Sequence, residues 1–189
     1  MVNYVKIENK IRNFNKTISI PGDKSISIRV VLTASQSIGK SKVYNLLESG
    51  DVKSTINSMR SLGVKIKKKN KFYEINGVGL NGFDYKNGKI IDAGNSGTFA
   101  RLFCGVLAKA EKDIKIIGDK SLSKRDFKRI SDPLSMFGAD FKLKNKRNLP
   151  LIIFGSSKLK PIKYIEKRGS AQCKSSIILA GMRADGTTY

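Results

Sequence analysis

The amino-acid sequence predicts an α/β (α+β) fold assembled from βαβαββ units, and three observations carry that prediction. First, a polar, glycine-led segment recurs: Gly22–Arg29 reads G-D-K-S-I-S-I-R, Gly94–Arg101 reads G-N-S-G-T-F-A-R, and Gly169–Ser176 reads G-S-A-Q-C-K-S-S with Ser in the Arg slot. The starts lie 72 and 75 positions apart, and self-similarity at a steady spacing marks repeated supersecondary units. Second, each segment is followed by an apolar helical stretch and then a β-rich run. Third, a second amphipathic helix ends at a glycine in both complete copies, and two short strands close the unit.

In chain order, the first unit has a helical stretch over Val30–Ser37 and a β-run over Lys42–Asn45. A helix over Val52–Leu62 follows, with Val52, Ile56, Met59 and Leu62 near helical spacing. Gly63 stops it, and strands at Val64–Lys67 and Lys71–Asn76 complete the unit. The second unit repeats the plan with Leu102–Ala110, Ile114–Ile117 and a helix over Arg125–Phe137 built on Phe127, Ile130, Leu134 and Phe137. Gly138 ends that helix before strands at Asp140–Lys144 and Pro150–Phe154. The third unit has its helical stretch at Ile177–Arg183, places Gly186 where the first has Gly39, and reaches D-G-T-T-Y where a strand should begin. The third repeat is therefore expected to be incomplete.

Composition narrows the function. Lys and Arg number 37 against 15 Asp and Glu, a net charge of +22, so the chain attracts anions. Nucleic acid, a membrane surface and a small phosphorylated substrate are the candidate classes. Much of the excess, including Lys67, Lys68, Lys69 and Lys71, falls at strand ends and turns and reads as a solvated basic surface. With no histidine, a His-based triad is excluded and a zinc site is disfavoured. The two cysteines, Cys104 and Cys173, have no metal-ligand spacing and fall on apolar helical stretches, which suits buried thiols in a reducing, cytoplasmic setting. The opening M-V-N-Y-V-K-I-E-N-K has no signal-peptide core, and no apolar run reaches membrane-spanning length.

The polar segments are where chemistry is expected. Helix N-termini present free backbone N–H groups and partial positive charge, which suits phosphate or carboxylate. One such start alone is simply a cap. Three, supplied with Lys24, Arg29 and Arg101, point to a shared anion site. Arg101 reads as a residue that ion-pairs or supports its turn rather than one that touches a ligand.

Four motifs then carry a family resemblance over essentially the whole chain. P-G-D-K-S-I-S-I-R at Pro21–Arg29, D-A-G-N-S-G-T-F-A-R-L at Asp92–Leu102, G-D-K-S-L-S-K-R at Gly118–Arg125 and S-A-Q-C-K-S at Ser170–Ser175 resemble, in order, the motifs of the 5-enolpyruvylshikimate-3-phosphate synthase family. The related UDP-N-acetylglucosamine enolpyruvyl transferases share the architecture, but their reactive-cysteine loop has no counterpart here. The resemblance implies an enolpyruvyl transferase-like, inside-out α/β barrel with pseudo-threefold arrangement, and transfer of an enolpyruvyl group from phosphoenolpyruvate to shikimate 3-phosphate. It implies two small anionic substrates as partners, with no nucleic acid, no membrane, no metal and no organic cofactor, and a monomer at full length. Residues 21–189 would form a truncated N-terminal substrate-binding domain, and residues 1–20, with a strand at Tyr4–Ile7, would belong with a second domain.

Residue by residue, the resemblance implies that Lys24 lies between the substrates as the catalytic cation. Ser25 and Arg29 would hold the shikimate carboxylate, and Ser170 and Ala171 its 3-phosphate. Asn95 and Gly97 would contact phosphoenolpyruvate, Arg125 would clamp its phosphate, and Gln172 would touch both substrates. Gly97 occupies the position at which bulkier residues in the family exclude glyphosate. One residue departs from the pattern: Ile28 stands where the family has His. Two other readings remain beside this one. A basic nucleic-acid-binding module fits the charge but lacks interleaved aromatics and any RNA-binding signature. A non-catalytic fragment could retain the fold alone.

Overall fold

The computed structural model describes residues 4, 6, 8, 9, 12, 13 and 15–189. The strand expected at Tyr4–Ile7 falls where Val5 and Ile7 lie outside the described residues. The ordered elements begin with α1 (Lys24–Gln36), β1 (Ile38–Tyr44), α2 (Gly50–Arg60), β2 (Lys65–Lys68) and β3 (Phe72–Val78). The second unit is complete: β4 (Lys89–Asp92), α3 (Gly97–Val106), β5 (Ile114–Ile117), a 3-10 turn at Leu122–Lys124, α4 (Lys128–Met136), β6 (Asp140–Lys144) and β7 (Asn148–Phe154). The chain closes with α5 (Ala171–Gly181).

Two sheets form. One is antiparallel in the order β1-β3-β2, and the other runs β4-β5-β7-β6 with only the β4–β5 pair parallel. In the first of the two, Ile66 and Ile75 are buried while Lys65 and Lys67 are exposed. The third unit reproduces the start of the parallel pair with two hydrogen bonds. The Tyr189 amide donates to the Ile162 carbonyl at 2.9 Å, and the Tyr164 amide donates to the Tyr189 carbonyl at 2.8 Å. That offset exchange is the parallel-ladder pattern. Gly186 and Gly39 both take positive φ, at 128° and 91°, as their matched positions require.

The core is helical. α3 is buried along its whole length and packs against α1, α4 and α5, so equivalent helices of the three units share one interior with sheets outside. The approach of α3 to α5 depends on Gly105: a Cβ there would stand 2.1 Å from the Ser176 carbonyl oxygen. The Ser176 hydroxyl in turn donates to the Arg101 carbonyl at 2.9 Å. At the opposite end, buried Arg183 donates to the Val106 carbonyl of α3 and, at 2.8 Å, to the Gln36 side chain of α1. A cation is favoured there because the helix carbonyls converge. Burial pushes its guanidinium down to about 10.

Several boundaries differ from the sequence expectation. The polar segments are not preambles to the helices but their first turns. Asp23, Ser96 and Ser170 each accept a hydrogen bond from the amide three residues on, so helix begins at once behind the cap. The expected helix over Arg125–Phe137 starts only at Lys128, because Arg125 is extended (φ −76°, ψ 152°) and the Phe127 amide is engaged by the Arg147 carbonyl at 2.7 Å. Gly63 and Gly138 follow α2 and α4 with φ of 88° and 103°, the left-handed stop that their sequence positions suggest. Ile28 is fully buried in the core, where an apolar side chain needs no hydrogen-bond partner.

Candidate active site

Pro133 sits inside α4 and has no N–H to offer the Arg129 carbonyl one turn before it. The Cys173 thiol, in the first turn of α5, donates to that carbonyl at 3.4 Å. Tyr164 and Glu166 line the same junction. The Glu166 carboxyl is held below its ordinary range by hydrogen bonding to Cys173 and then to the Arg168 and Ser170 amides. Cys173 itself is pushed up to about 11 by burial and by Glu166, and Cys104 to about 12 by burial. Both are free, buried thiols, Cys173 beside the polar groups of Tyr164 and Glu166 and Cys104 inside α3.

Around α3 the site residues converge. Gln172 donates to the Thr98 hydroxyl at 3.1 Å and accepts from Arg101 Nη1 at 2.7 Å, locking the start of α5 to the start of α3. Arg101 is 5% exposed, donates also to the Asp126 carbonyl at 3.3 Å and lies 5.1 Å from the Phe127 ring centroid. Burial, reinforced by Arg129 and Arg125, lowers its pKa to about 10. It supports the turn, as the sequence suggests.

Gly97 is the floor of this cluster. A Cβ built on it would lie 2.9 Å from Arg125 Nη1 and 3.1 Å from Arg101 Nη1, so the missing side chain is what admits two guanidinium groups side by side. Arg125 is exposed and donates through Nη2 to the Asn95 side-chain oxygen at 2.8 Å. Asn95 donates to Asp119 at 2.5 Å. The Leu122 amide, then Asn95, hold the Asp119 carboxyl below its ordinary range. Two neighbouring cations over a helix N-terminus form a site for a doubly charged anion.

Lys24 and Arg29 lie on α1. Lys24 Nζ pairs with Asp51 of α2 at 3.1 Å. One turn further along α2, the Ser54 hydroxyl is 3.0 Å from where a Gly94 side chain would begin, which places α2 between the first and second polar segments. Arg29 lies on the seam of α1 and α5, donating to the Ser25 carbonyl at 3.1 Å and the Ser175 hydroxyl at 3.0 Å. Ser170 caps α5 through the Cys173 amide at 3.3 Å, with Ala171 exposed beside it. Lys24, Ser25, Arg29, Asn95, Gly97, Arg125, Ser170, Ala171 and Gln172 thus occupy or adjoin the starts of α1, α3 and α5. The sequence reading missed Asp51, Thr98, Ser175 and Asp119, all partners of those residues. Asp119, Thr98 and Ser175 lie inside the quoted motifs without having been assigned a partner there; Asp51 lies outside them, an ordinary helix residue that only tertiary packing singles out.

A helical interior flanked by the sheets of βαβαββ units, with the capped starts of α1, α3 and α5, is the architecture of the enolpyruvyl transferases. The family model described as EPSP synthase (3-phosphoshikimate 1-carboxyvinyltransferase) matches residues 8–189, and the chain belongs to that family. It is 42% identical over 183 residues to the 3-phosphoshikimate 1-carboxyvinyltransferase of Streptococcus mutans, covering 96% of this chain and 43% of the relative. The enzyme of Paracoccus denitrificans is 40% identical over 170 residues, covering 89% and 38%. The crystal structure of EPSP synthase from Acinetobacter baumannii superposes with a TM-score of 0.85 at 39% identity, over 90% of this chain and 39% of that one. The chain therefore spans about two fifths of the length of these relatives. Among the described residues no helix is long and apolar enough to cross a membrane.

Proposed function

We propose that this chain carries one half of a 3-phosphoshikimate 1-carboxyvinyltransferase site, binding shikimate 3-phosphate and phosphoenolpyruvate as a cytoplasmic, monomeric enzyme of aromatic precursor synthesis. In the full reaction the shikimate 5-hydroxyl adds to C2 of phosphoenolpyruvate as a proton reaches its C3 methylene. The tetrahedral adduct then loses that proton and phosphate. The groups that move these protons in the family lie in the part of the relatives this chain does not span, so the isolated chain turns over feebly at most. Residues 21–189 act as the substrate-binding domain, and residues 1–20 belong with the second.

Arg125 and Gly97 take the phosphoenolpyruvate phosphate, with Asn95 aligning Arg125. Ser170 and Ala171 receive the 3-phosphate, and Ser25 and Arg29 the carboxylate. Gln172 and the catalytic cation Lys24 stand between the substrates and offset their mutual repulsion. The observation that carries this reading is the pair of guanidinium groups meeting over Gly97 beside the start of α3. Isothermal titration of the chain with shikimate 3-phosphate tests it. Binding should weaken about 10- to 150-fold in Arg29→Ala, the loss of one charge-assisted contact. Absence of binding, or binding indifferent to that change, would overturn the assignment.

A further inference from the structure

The substrate site accounts for few of the lysines. In the β1-β3-β2 sheet, register places Lys40, Asn76 and Lys65 in one cross-strand row and Lys42, Glu74 and Lys67 in the next. Tyr44 and Phe72 form the row after that, their ring centroids 5.5 Å apart. Ile66 and Ile75 point inward, so these rows lie on the outer face. Lys42 Nζ stands 5.5 Å above the Phe72 ring, and Tyr44 is 62% exposed. None of the four lysines forms an ion pair among the described residues, and Glu74 is the only carboxylate in these rows.

Cations on alternate residues of two strands repeat about every 6.8 Å along the sheet. The rows end at the Tyr44–Phe72 pair, whose rings are tilted 44° to each other, with Tyr44 exposed and Phe72 half-buried. In the linear sequence Lys40, Lys42 and Tyr44 already alternate along one strand, and strand register sets Phe72 beside Tyr44 and adds Lys65 and Lys67 to the rows. Lys42 covers the Phe72 ring, so the exposed Tyr44 ring is the aromatic surface open to a ligand, and a lipid headgroup or an acidic peptide needs the lysines alone. Single-stranded nucleic acid uses both, its phosphates on the lysines and a base on the aromatic platform.

We propose that the outer face of the β1-β3-β2 sheet binds single-stranded nucleic acid, as an activity separate from and independent of the enolpyruvyl transferase reading. The backbone lies along Lys40, Lys42, Lys65 and Lys67, and one base stacks on Tyr44. Specificity of sequence is not expected from this chemistry.

Fluorescence anisotropy of the intact chain with a labelled oligouridylate, titrated across salt concentrations, tests it. Tyr44→Ala should weaken binding about 5- to 150-fold, the worth of one base stack. The double variant Lys42→Gln/Lys67→Gln should flatten the salt slope by about 1.4, two phosphate contacts at about 0.7 each. Lys158→Gln/Lys160→Gln removes the same charge elsewhere on the surface. It should leave the Tyr44→Ala effect and most of the affinity intact. All these side chains are exposed, and thermal unfolding confirms that each variant folds. Equal losses in the two double variants, an inert Tyr44→Ala, or association with phosphatidylserine vesicles but not with the oligonucleotide would each overturn the proposal. Titration of the same variants with shikimate 3-phosphate keeps the two readings apart, since neither outcome alters the other.

Discussion

Replacing Gly97 with alanine adds a single methyl group at the point where Arg125 and Arg101 meet. The new carbon would stand 2.9 Å from Arg125 Nη1, 3.1 Å from Arg101 Nη1 and 3.6 Å from Leu122 Cδ1. Something must move, and the structure says which group. Arg101 is buried and held by Gln172 and Asp126, whereas Arg125 is exposed and held by one bond to Asn95. Arg125 therefore swings away, which costs the fold little. Alanine in a helix is favoured over glycine by about 1 kcal/mol, so net stability should be unchanged or slightly higher. A displaced Arg125 forfeits a charge-assisted hydrogen bond to the phosphate, about 1.5–3 kcal/mol, or roughly 10- to 150-fold in phosphoenolpyruvate affinity. Shikimate 3-phosphate, received at α5 and the α1 seam, should bind as before. Calorimetric titration with each ligand, alongside thermal unfolding, measures both halves of the claim. Undiminished phosphoenolpyruvate affinity would refute the role of Gly97 as the opening for Arg125, and a melting temperature several degrees lower would refute the assignment of the flexible partner.

Two other expectations follow from the same coordinates. Ser170→Ala removes the cap on the Cys173 amide, at about 1 kcal/mol, and should lower the melting temperature by about 2–4 °C in addition to any loss of shikimate 3-phosphate binding. Cys104 and Cys173 keep their protons to about 12 and about 11 in the folded chain, against 9.0 ordinarily. The unfolded chain releases these protons first, so their contribution is complete below pH 9 and is lost as pH rises toward those values. Alkaline unfolding should steepen above pH 9, and neither thiol should react with Ellman's reagent at pH 8 unless denaturant is present.

The fold was legible wherever local chemistry and tertiary need coincide. Gly63 and Gly138 stop their helices because only glycine accepts the left-handed turn easily, and Ile114–Ile117 and Asp140–Lys144 are strands at the bounds their patterns suggest. Helix starts were less legible. Ser25, Ser27 and Thr98 are indifferent helix formers, and it is the caps and the packing of α1 and α3 that fold them into helix. The break before α4 was hidden because Arg125 and Phe127 fit a helical period, while their actual conformation is set by Arg147, twenty residues onward in a different element. Of the site, the segment residues were legible through the repeat and the motifs. The pairings were not: Asp51 lies outside the motifs, and although Thr98 and Ser175 lie inside them, nothing local distinguishes a serine that meets Arg29 across two helices from one that meets water.

Arg183 ties α3 to α1 from its place just beyond α5, at the end remote from the capped helix starts. The three central helices therefore stand like a tripod bound at its feet. Splaying one leg to suit a ligand strains the lashing that holds the other two. Contacts made at separate helix starts must then share a common mechanical cost, so the losses from single substitutions on α1, α3 and α5 will not sum to the loss from all three together.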